Sequence, residues 1–431
     1  MRTIAAISTP YDTGAIGIIR MSGSESVKIA DKLFNFSEKS FRKATPRMMY
    51  LGEIKTDSFS EKCYGVYFKA PKSYTGEDMV EFYCHGGMAL LNGVLKLLID
   101  AGASPAENGE FTKRAFLNGK IDLAGAEGVV DMINAESEAA INAAYRLMSG
   151  KLSAEIKELT GALLEAISGL EASLDYPEEL EEDTRARGGE IIQSALRRLY
   201  KLRDTADSGR MIKYGINVAI IGLPNAGKSS LLNALLKEDR AIVSAIPGTT
   251  RDTVSESIII GGNKINFVDT AGIRESADDI EKLGVERTYR AIEGADIIIN
   301  VVDATTGVNV YKDFNKPTIT VYNKCDIAAA LEDKLKISAK TGEGMDKLLE
   351  ALTEMSKVKS KGGEIITNTR HLDAVKRAIE YLERAICEYD APTDCILIDI
   401  KAAYGALGEI DGSTASDRII DDIFSRFCVG K

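Results

Sequence analysis

Residues 222–229 read GLPNAGKS, a match to the pattern G-x-x-x-x-G-K-S/T. The stretch follows the apolar run VAII (218–221) and precedes the helical pattern SLLNALL (230–236). That strand–loop–helix setting gives the pattern its meaning. Glycines in such a loop let successive backbone N–H groups turn toward phosphate oxygens at a helix N-terminus. Lys228 is then placed to reach the β- and γ-phosphates, and the Ser229 hydroxyl to reach Mg2+. The nucleotide contacts expected here are Asn225, Ala226, Gly227, Lys228, Ser229 and Ser230.

Three further motifs follow in order, each at the carboxyl end of an apolar run. DTAG (269–272) ends the run INFV, with Asp269 toward Mg2+, Gly272 offering its N–H to the γ-phosphate, and Thr270 and Ala271 between them. NKCD (323–326) ends TITVY. The Asp326 carboxylate can accept two hydrogen bonds from guanine that adenine does not offer, and Asn323 and Lys324 complete that loop. SAK (Ser338, Ala339, Lys340) ends the last run and backs the base from its other edge. The set resembles a Ras-like GTP-binding domain. From Ile216 to about Lys357 strands and helices alternate, as in INVAIIG, KINFVDT, ADIIINVVD, PTITVYN and LKISAK. This is the pattern of a parallel, doubly wound sheet.

The usual water-orienting residue is replaced. Small GTPases carry Gln after D-x-x-G, but Ile273 stands there and cannot orient water. In place of an arginine finger's charge, Asn225 offers a neutral side-chain oxygen beside the phosphates. The loop SAIPGTTRD (244–252) supplies Ser244, Ala245, Ile246, Pro247, Gly248, Thr249 and Thr250 as further nucleotide-side residues rich in carbonyls and hydroxyls. Such a collection of oxygens can hold a monovalent cation where the arginine charge would sit. Glu281 is the candidate for positioning water, a solvated helix carboxylate being its alternative role. Arg251 and Arg274 are rival charge donors.

The rest of the chain has two other textures. Residues 1–118 mix short apolar runs with turns and one helical stretch, ALLNGVLKLLIDAG, and read as a compact α+β domain. From 119 to 212 helical periodicity dominates, interrupted by Pro177 and the acidic run EELEED, read as a solvated loop. The GTP-binding segment occupies 213–365, and helical patterns resume over 366–431. About 60 residues make a poor independent core, so the last segment is expected to pack against 119–212. The fold class is therefore multidomain α+β and α/β, with the Ras-like sheet inserted into a discontinuous helical domain. Between VVDA and PTITVYN only about a dozen residues remain, near the minimum for a parallel crossover, so the usual helix there is expected to be short or partly lost.

With 431 residues the chain exceeds one core. No apolar run reaches the roughly 18 residues of a membrane span, and MRTIAAISTPYDTG lacks a secretory h-region. A cytoplasmic protein is expected. The six cysteines contain no C-x-x-C pair and only two histidines are present, which argues against a disulfide framework or a zinc site. A net charge of −11 argues against broad, sequence-independent nucleic-acid binding. RNA, if handled, is met through a local patch or a partner. His85 in CHGG is read as a structural histidine at a strand end, and the stripe RRLYKLR (197–203) as a solvated helix face.

The chain ends FCVGK, with Phe427, Cys428 and Val429 unusually apolar for a terminus. This ending, the loops GLPNAGKSS and IPGTTRD, and the helical frame around the GTPase segment together closely resemble the MnmE (TrmE) family, tRNA-modification GTPases acting on wobble uridine. The resemblance runs from residue 2 to residue 431. It implies a homodimer built through the N-terminal domains, K+ held by Asn225, Ser244, Ile246 and Thr249, Mg2+ held by Ser229 and Thr250, and water positioned by Glu281. It implies a one-carbon donor, 5-formyl- or 5,10-methylene-tetrahydrofolate, contacted by Arg20, Glu81, Lys120 and, through the docked tail, Lys431. Cys428 becomes a candidate for assisting the one-carbon step, with burial as a small apolar residue the alternative. The implied reaction, with GTP as substrate, needs an FAD-dependent partner, MnmG (GidA), in a heterotetramer. The pair adds an aminomethyl or carboxymethylaminomethyl group to C5 of the wobble uridine of certain tRNAs. A ribosome-assembly or RNA-binding switch GTPase without covalent chemistry is the second reading. Such a protein would carry a basic RNA-binding module or a second GTPase segment, and the sequence has neither.

The cation site makes a direct prediction. GTP turnover should rise severalfold or more when K+ replaces Na+ in a steady-state phosphate-release assay, and equal rates would contradict it.

Overall fold

The computed structural model describes residues 2–56, 58–237, 256–268, 291–309, 315–328, 334–357, 363–389 and 391–431, the side chains of 177–181 excepted. It divides into two compact units. The first comprises residues 1–130, 147–188 and 390–431; the second comprises 131–146 and 189–389.

The chain opens in a seven-stranded sheet: β1 (Ile4–Ile7), β2 (Gly14–Ser22), β3 (Phe34–Phe36), β4 (Met49–Lys55), β5 (Ser60–Phe68), β6 (Met79–Gly86) and β7 (Ser104–Pro105). Their spatial order is β3-β4-β5-β6-β2-β1-β7, antiparallel throughout except for β1 beside β7. Period-2 alternation sorts β6 cleanly: Val80, Phe82 and Cys84 enter the core with Ile19, Met21 and Phe34. Helices α1 (Ser26–Leu33) and α2 (Met88–Asp100) supply Val27, Leu91, Val94 and Leu98 to the same core. The opposite sheet face carries Arg20, Glu81 and Tyr83. A short helix, α3 (Glu110–Leu117), follows β7.

Helices α4 (Leu123–Ile133), α5 (Glu138–Met148), α6 (Lys151–Asp175), α7 (Pro177–Arg203) and α8 (Ala206–Tyr214) follow. Along α6, Leu152, Ile156, Leu159, Leu163, Ile167 and Leu170 are buried at three- and four-residue spacing, one stripe of the helix. The acidic run EELEED, expected to be a loop, instead forms the first turns of α7. Pro177 occupies the first helical position, where its missing N–H costs nothing. The break between α6 and α7 is confined to Tyr176.

The second unit holds a five-stranded sheet of β8 (Ile216–Ile221), β9 (Glu256–Ile260), β10 (Asn263–Val268), β11 (Ile297–Asp303) and β12 (Thr318–Asn323), in the order β12-β11-β8-β10-β9. Three neighbouring pairs are parallel, as expected; β9 adds an antiparallel edge strand that the periodicity reading passed over. Its signal was the turn at Gly261-Gly262, both at positive φ (56° and 79°), which closes a β9–β10 hairpin. LKISAK forms no full strand: it meets β12 in a single bridge, Tyr322 with Lys336. Helices α9 (Lys228–Lys237) and α10 (Met345–Met355) bury Leu231, Leu235, Leu348 and Leu352 against the sheet. Between β11 and β12 the described residues 304–309 and 315–317 form turns and no helix, in line with the short connection.

The chain finishes with α11 (Thr369–Cys387), α12 (Thr393–Asp411) and α13 (Asp417–Ser425). Compactness groups α11 with the second unit, and α12 and α13 with the first, where α12 packs along α6. Phe424 and Phe427 join Leu123 and Ala126 in a separate apolar cluster. The tail beyond them is docked. Val429 forms an antiparallel bridge with Asn108, and Ser8 Oγ donates to the Gly430 carbonyl at 3.0 Å. The Phe111 N–H donates to the Lys431 carbonyl oxygen at 3.1 Å. Gly430 is required there: its φ is 93°, and a Cβ would lie 2.1 Å from the Ile7 carbonyl oxygen. Among the described residues no helix is long and apolar enough to cross a membrane.

Candidate functional site

The loop after β8 is shaped by residues with no steric alternative. Gly222 has φ 152°, and a Cβ would sit 2.3 Å from the Val301 carbonyl oxygen. Gly227 has φ 94°, and a Cβ would sit 2.1 Å from Asn323 Nδ2. Asn225 adopts the left-handed region at φ 62°, tolerable for Asn at modest cost. Lys228 opens α9 and turns back across the loop, where Nζ donates to the Gly222 and Leu223 carbonyls at 3.0 Å each. Desolvation pulls this ammonium below the usual lysine range. A half-buried cation at a helix N-terminus is a strong attractor for phosphate. Ser229 and Ser230 are exposed at the start of α9.

Asn323, at the end of β12, is buried and joins two loops. Its Nδ2 donates to the Ala226 carbonyl at 2.9 Å, and its Oδ1 accepts from the Ala339 N–H at 3.0 Å. The side chain is thus a brace between the phosphate loop and the SAK loop. Next to it, the Cys325 N–H donates to the Ile337 carbonyl at 3.1 Å. Lys324 is in the left-handed region at φ 69° and pairs with Asp303 at 2.6 Å. Burial pushes the Asp303 carboxyl up, but the Lys324 ammonium and two hydrogen bonds from Thr305 outweigh it, and the group lies below its ordinary range. Asp326 and Lys340 stay exposed on the rims of these loops, and Ser338 is fully buried.

A second cluster lies on the outer face of the seven-stranded sheet. Arg20 and Glu81 are cross-strand partners, and Nε donates to Oε1 at 2.7 Å. The Tyr83 hydroxyl donates to the other oxygen, Oε2, at 2.8 Å. The guanidinium carbon of Arg20 lies 5.3 Å from the Tyr74 ring centre and 5.6 Å from that of Phe111, cation–π distances. The terminal nitrogens of Arg20 make no hydrogen bond to the described residues. Removing one partner of so desolvated a pair leaves a buried charge, a loss of about 3–5 kcal/mol. Phe111 is also the residue whose N–H holds Lys431, so the docked tail ends beside this cluster. Lys120 reaches the Pro71 carbonyl at 3.0 Å.

Comparison with known proteins decides the family. A family model described as MnmE helical domain matches residues 123–428, and one described as GTP-binding protein TrmE N-terminus matches residues 3–120. The tRNA modification GTPase MnmE of Clostridioides difficile (strain 630) is 38% identical over 454 residues, covering 100% of this chain and 99% of its own. That of Fervidobacterium nodosum is 41% identical over 452 residues, covering 100% and 97%. The chain belongs to the MnmE family of tRNA modification GTPases. The aligned length of 454 exceeds the 431 residues here, so that MnmE relative carries segments this chain lacks. Among solved structures, the chain is similar to Era of Aquifex aeolicus, 32% identical, covering 38% of this chain and 66% of that one at a TM-score of 0.27.

The structure brings Asn225 to Ser230, Asn323 to Asp326 and Ser338 to Lys340 around the end of the parallel strands, and Arg20 together with Glu81 on the other sheet. Ser244 to Thr250, Asp269 to Gly272, Glu281 and the rival Arg251 and Arg274 lie outside the described residues. Cys428 is exposed, which removes burial as its role. At the end of β6, His85 donates its backbone N–H to Glu61 at 2.9 Å, and its exposed ring meets the same carboxylate through Nδ1 at 2.8 Å. Tyr83 was overlooked, although period-2 spacing from Glu81 in VEFYCHGG puts both on one face. Tyr74, Phe111 and Asp303 carry no local signal, because tertiary folding alone brings them in. For the nucleotide loops, Asn323→Ala removes two bonds to backbone groups, about 1–3 kcal/mol each. Affinity for a fluorescent GDP analogue should fall about tenfold or more, and an unchanged affinity would contradict the brace.

Proposed function

We propose that this chain hydrolyses GTP in a conformational cycle that serves C5 modification of the wobble uridine in certain tRNAs. The added group is aminomethyl or carboxymethylaminomethyl. The reaction would be carried out with an FAD-dependent partner of the MnmG (GidA) type, and tetrahydrofolate would supply the carbon. The observation that carries this reading is the convergence at Phe111: its N–H holds the last residue of the chain while its ring lies over Arg20, the partner of Glu81. A tail anchored this tightly beside a desolvated Arg–Glu pair suits a cofactor site better than a packing role. Arg20, Glu81, Lys120 and Lys431 would hold 5-formyl- or 5,10-methylene-tetrahydrofolate. The cations suit its glutamate carboxylates, and the Glu81 carboxylate suits the hydrogen-bond-donating edge of a pterin. The exposed thiol of Cys428 is available to assist the transfer.

On the nucleotide side, Ser229 and Thr250 would hold Mg2+. The Ser229 hydroxyl makes no hydrogen bond to the described residues, which fits a ligand role. K+ would be held by Asn225, Ser244, Ile246 and Thr249, and would supply the positive charge that an arginine finger supplies elsewhere. The Asn225 side chain is exposed and makes no hydrogen bond to the described residues, which supports its part in that set. Glu281 would position the attacking water. A cytoplasmic homodimer, completed by the partner to a heterotetramer, is the assembly this reading requires.

The test is reconstitution. Unmodified tRNA incubated with this chain, the FAD-dependent partner, GTP, Mg2+, K+, 5,10-methylene-tetrahydrofolate and an amine (ammonium for the aminomethyl group, glycine for the carboxymethylaminomethyl group) should gain mass at the wobble uridine, and lose that gain when folate or GTP is omitted. A gain independent of folate would contradict the donor assignment.

A further inference from the structure

The Glu81 carboxylate is nearly desolvated, at 6% exposure, and is held at both oxygens. Arg20 Nε donates to Oε1 from directly across the strand pair, and the Tyr83 hydroxyl donates to Oε2 from two residues along β6. A carboxylate offers about four acceptor sites, and these bonds occupy two. The group therefore cannot rotate without losing a bond, yet each oxygen keeps a lone pair for a ligand.

We propose that Tyr83 is a positioning residue for the one-carbon donor: its hydroxyl fixes the plane in which Glu81 accepts hydrogen bonds from the amino and imino edge of a pterin. The inference rests on the folate reading above. Tyrosine suits the task. Its phenol is neutral, so Glu81 is oriented while the local balance stays at one guanidinium against one carboxylate. Burial, together with the bond to Glu81, pushes the phenol up to about 12, so it remains a donor at any working pH. The ring is held in a row, since Leu51, Tyr64, Tyr83 and Ile18 face one another in register across β4, β5, β6 and β2.

The experiment is a double-mutant cycle read by calorimetric titration of the full chain with 5-formyl-tetrahydrofolate. Tyr83→Phe keeps the ring and removes only the hydroxyl. A hydrogen bond to a charged group sets the expected loss at about tenfold in affinity. In the Glu81→Gln background the same substitution should cost less than about twofold, because a residue that acts through Glu81 has little left to orient. An equal loss in both backgrounds, or no loss in either, overturns the role of Tyr83 while leaving the folate reading standing. No binding heat with the unsubstituted chain overturns the folate reading, and this inference with it.

Discussion

The last residues of the chain are hydrogen-bonded to backbone and side-chain groups between Ser8 and Phe111, so the chain's end returns to the unit in which it began. Ser8 and Phe111 hold Gly430 and Lys431 directly, while Asn108 bridges Val429. Each bond is modest alone, about 1 kcal/mol net. They are reinforced by Phe424 and Phe427, whose burial adds roughly 2–3 kcal/mol apiece. A chain that begins and ends in one compact unit can carry a second unit only as an insertion. The nucleotide-binding sheet is such an insertion, lying between α8 and α11. Gly430 makes the closure possible, since only a residue without Cβ passes the Ile7 carbonyl at that φ.

In the inserted unit a single amide does comparable work. Asn323 spends its donor on the phosphate loop and its acceptor on the SAK loop. The phosphate loop and the SAK loop are thereby tied to one strand end. The Lys324–Asp303 pair fixes the neighbouring backbone in the left-handed region, where a non-glycine residue needs support. The backbone leading to Asp326 is thus held by the side-chain bonds of Asn323 and Lys324.

Much of this was legible in the sequence, for identifiable reasons. The phosphate loop and NKCD depend on local backbone geometry, so a short window of residues suffices to specify them. The parallel strands were visible because doubly buried strands are continuous apolar runs. The antiparallel β9 was missed because its sequence, ESIII, alternates poorly, and its turn signal lies in the following Gly-Gly. The acidic start of α7 was misread because charge density was weighed above the helix-start signal of Pro177. At the cluster on the seven-stranded sheet, Arg20 and Glu81 were named only through family resemblance. Their cross-strand pairing, the aromatic clasp on Arg20 and the Tyr83 bond depend on register across three separated segments, and no local pattern encodes that.

The central claim, that both units serve one reaction on tRNA, meets its most direct test in nucleoside mass spectrometry of tRNA from cells lacking this chain. The account predicts that the wobble uridine loses its C5 substituent and regains it when the intact chain is returned. An unchanged wobble nucleoside in the deletion strain would contradict it.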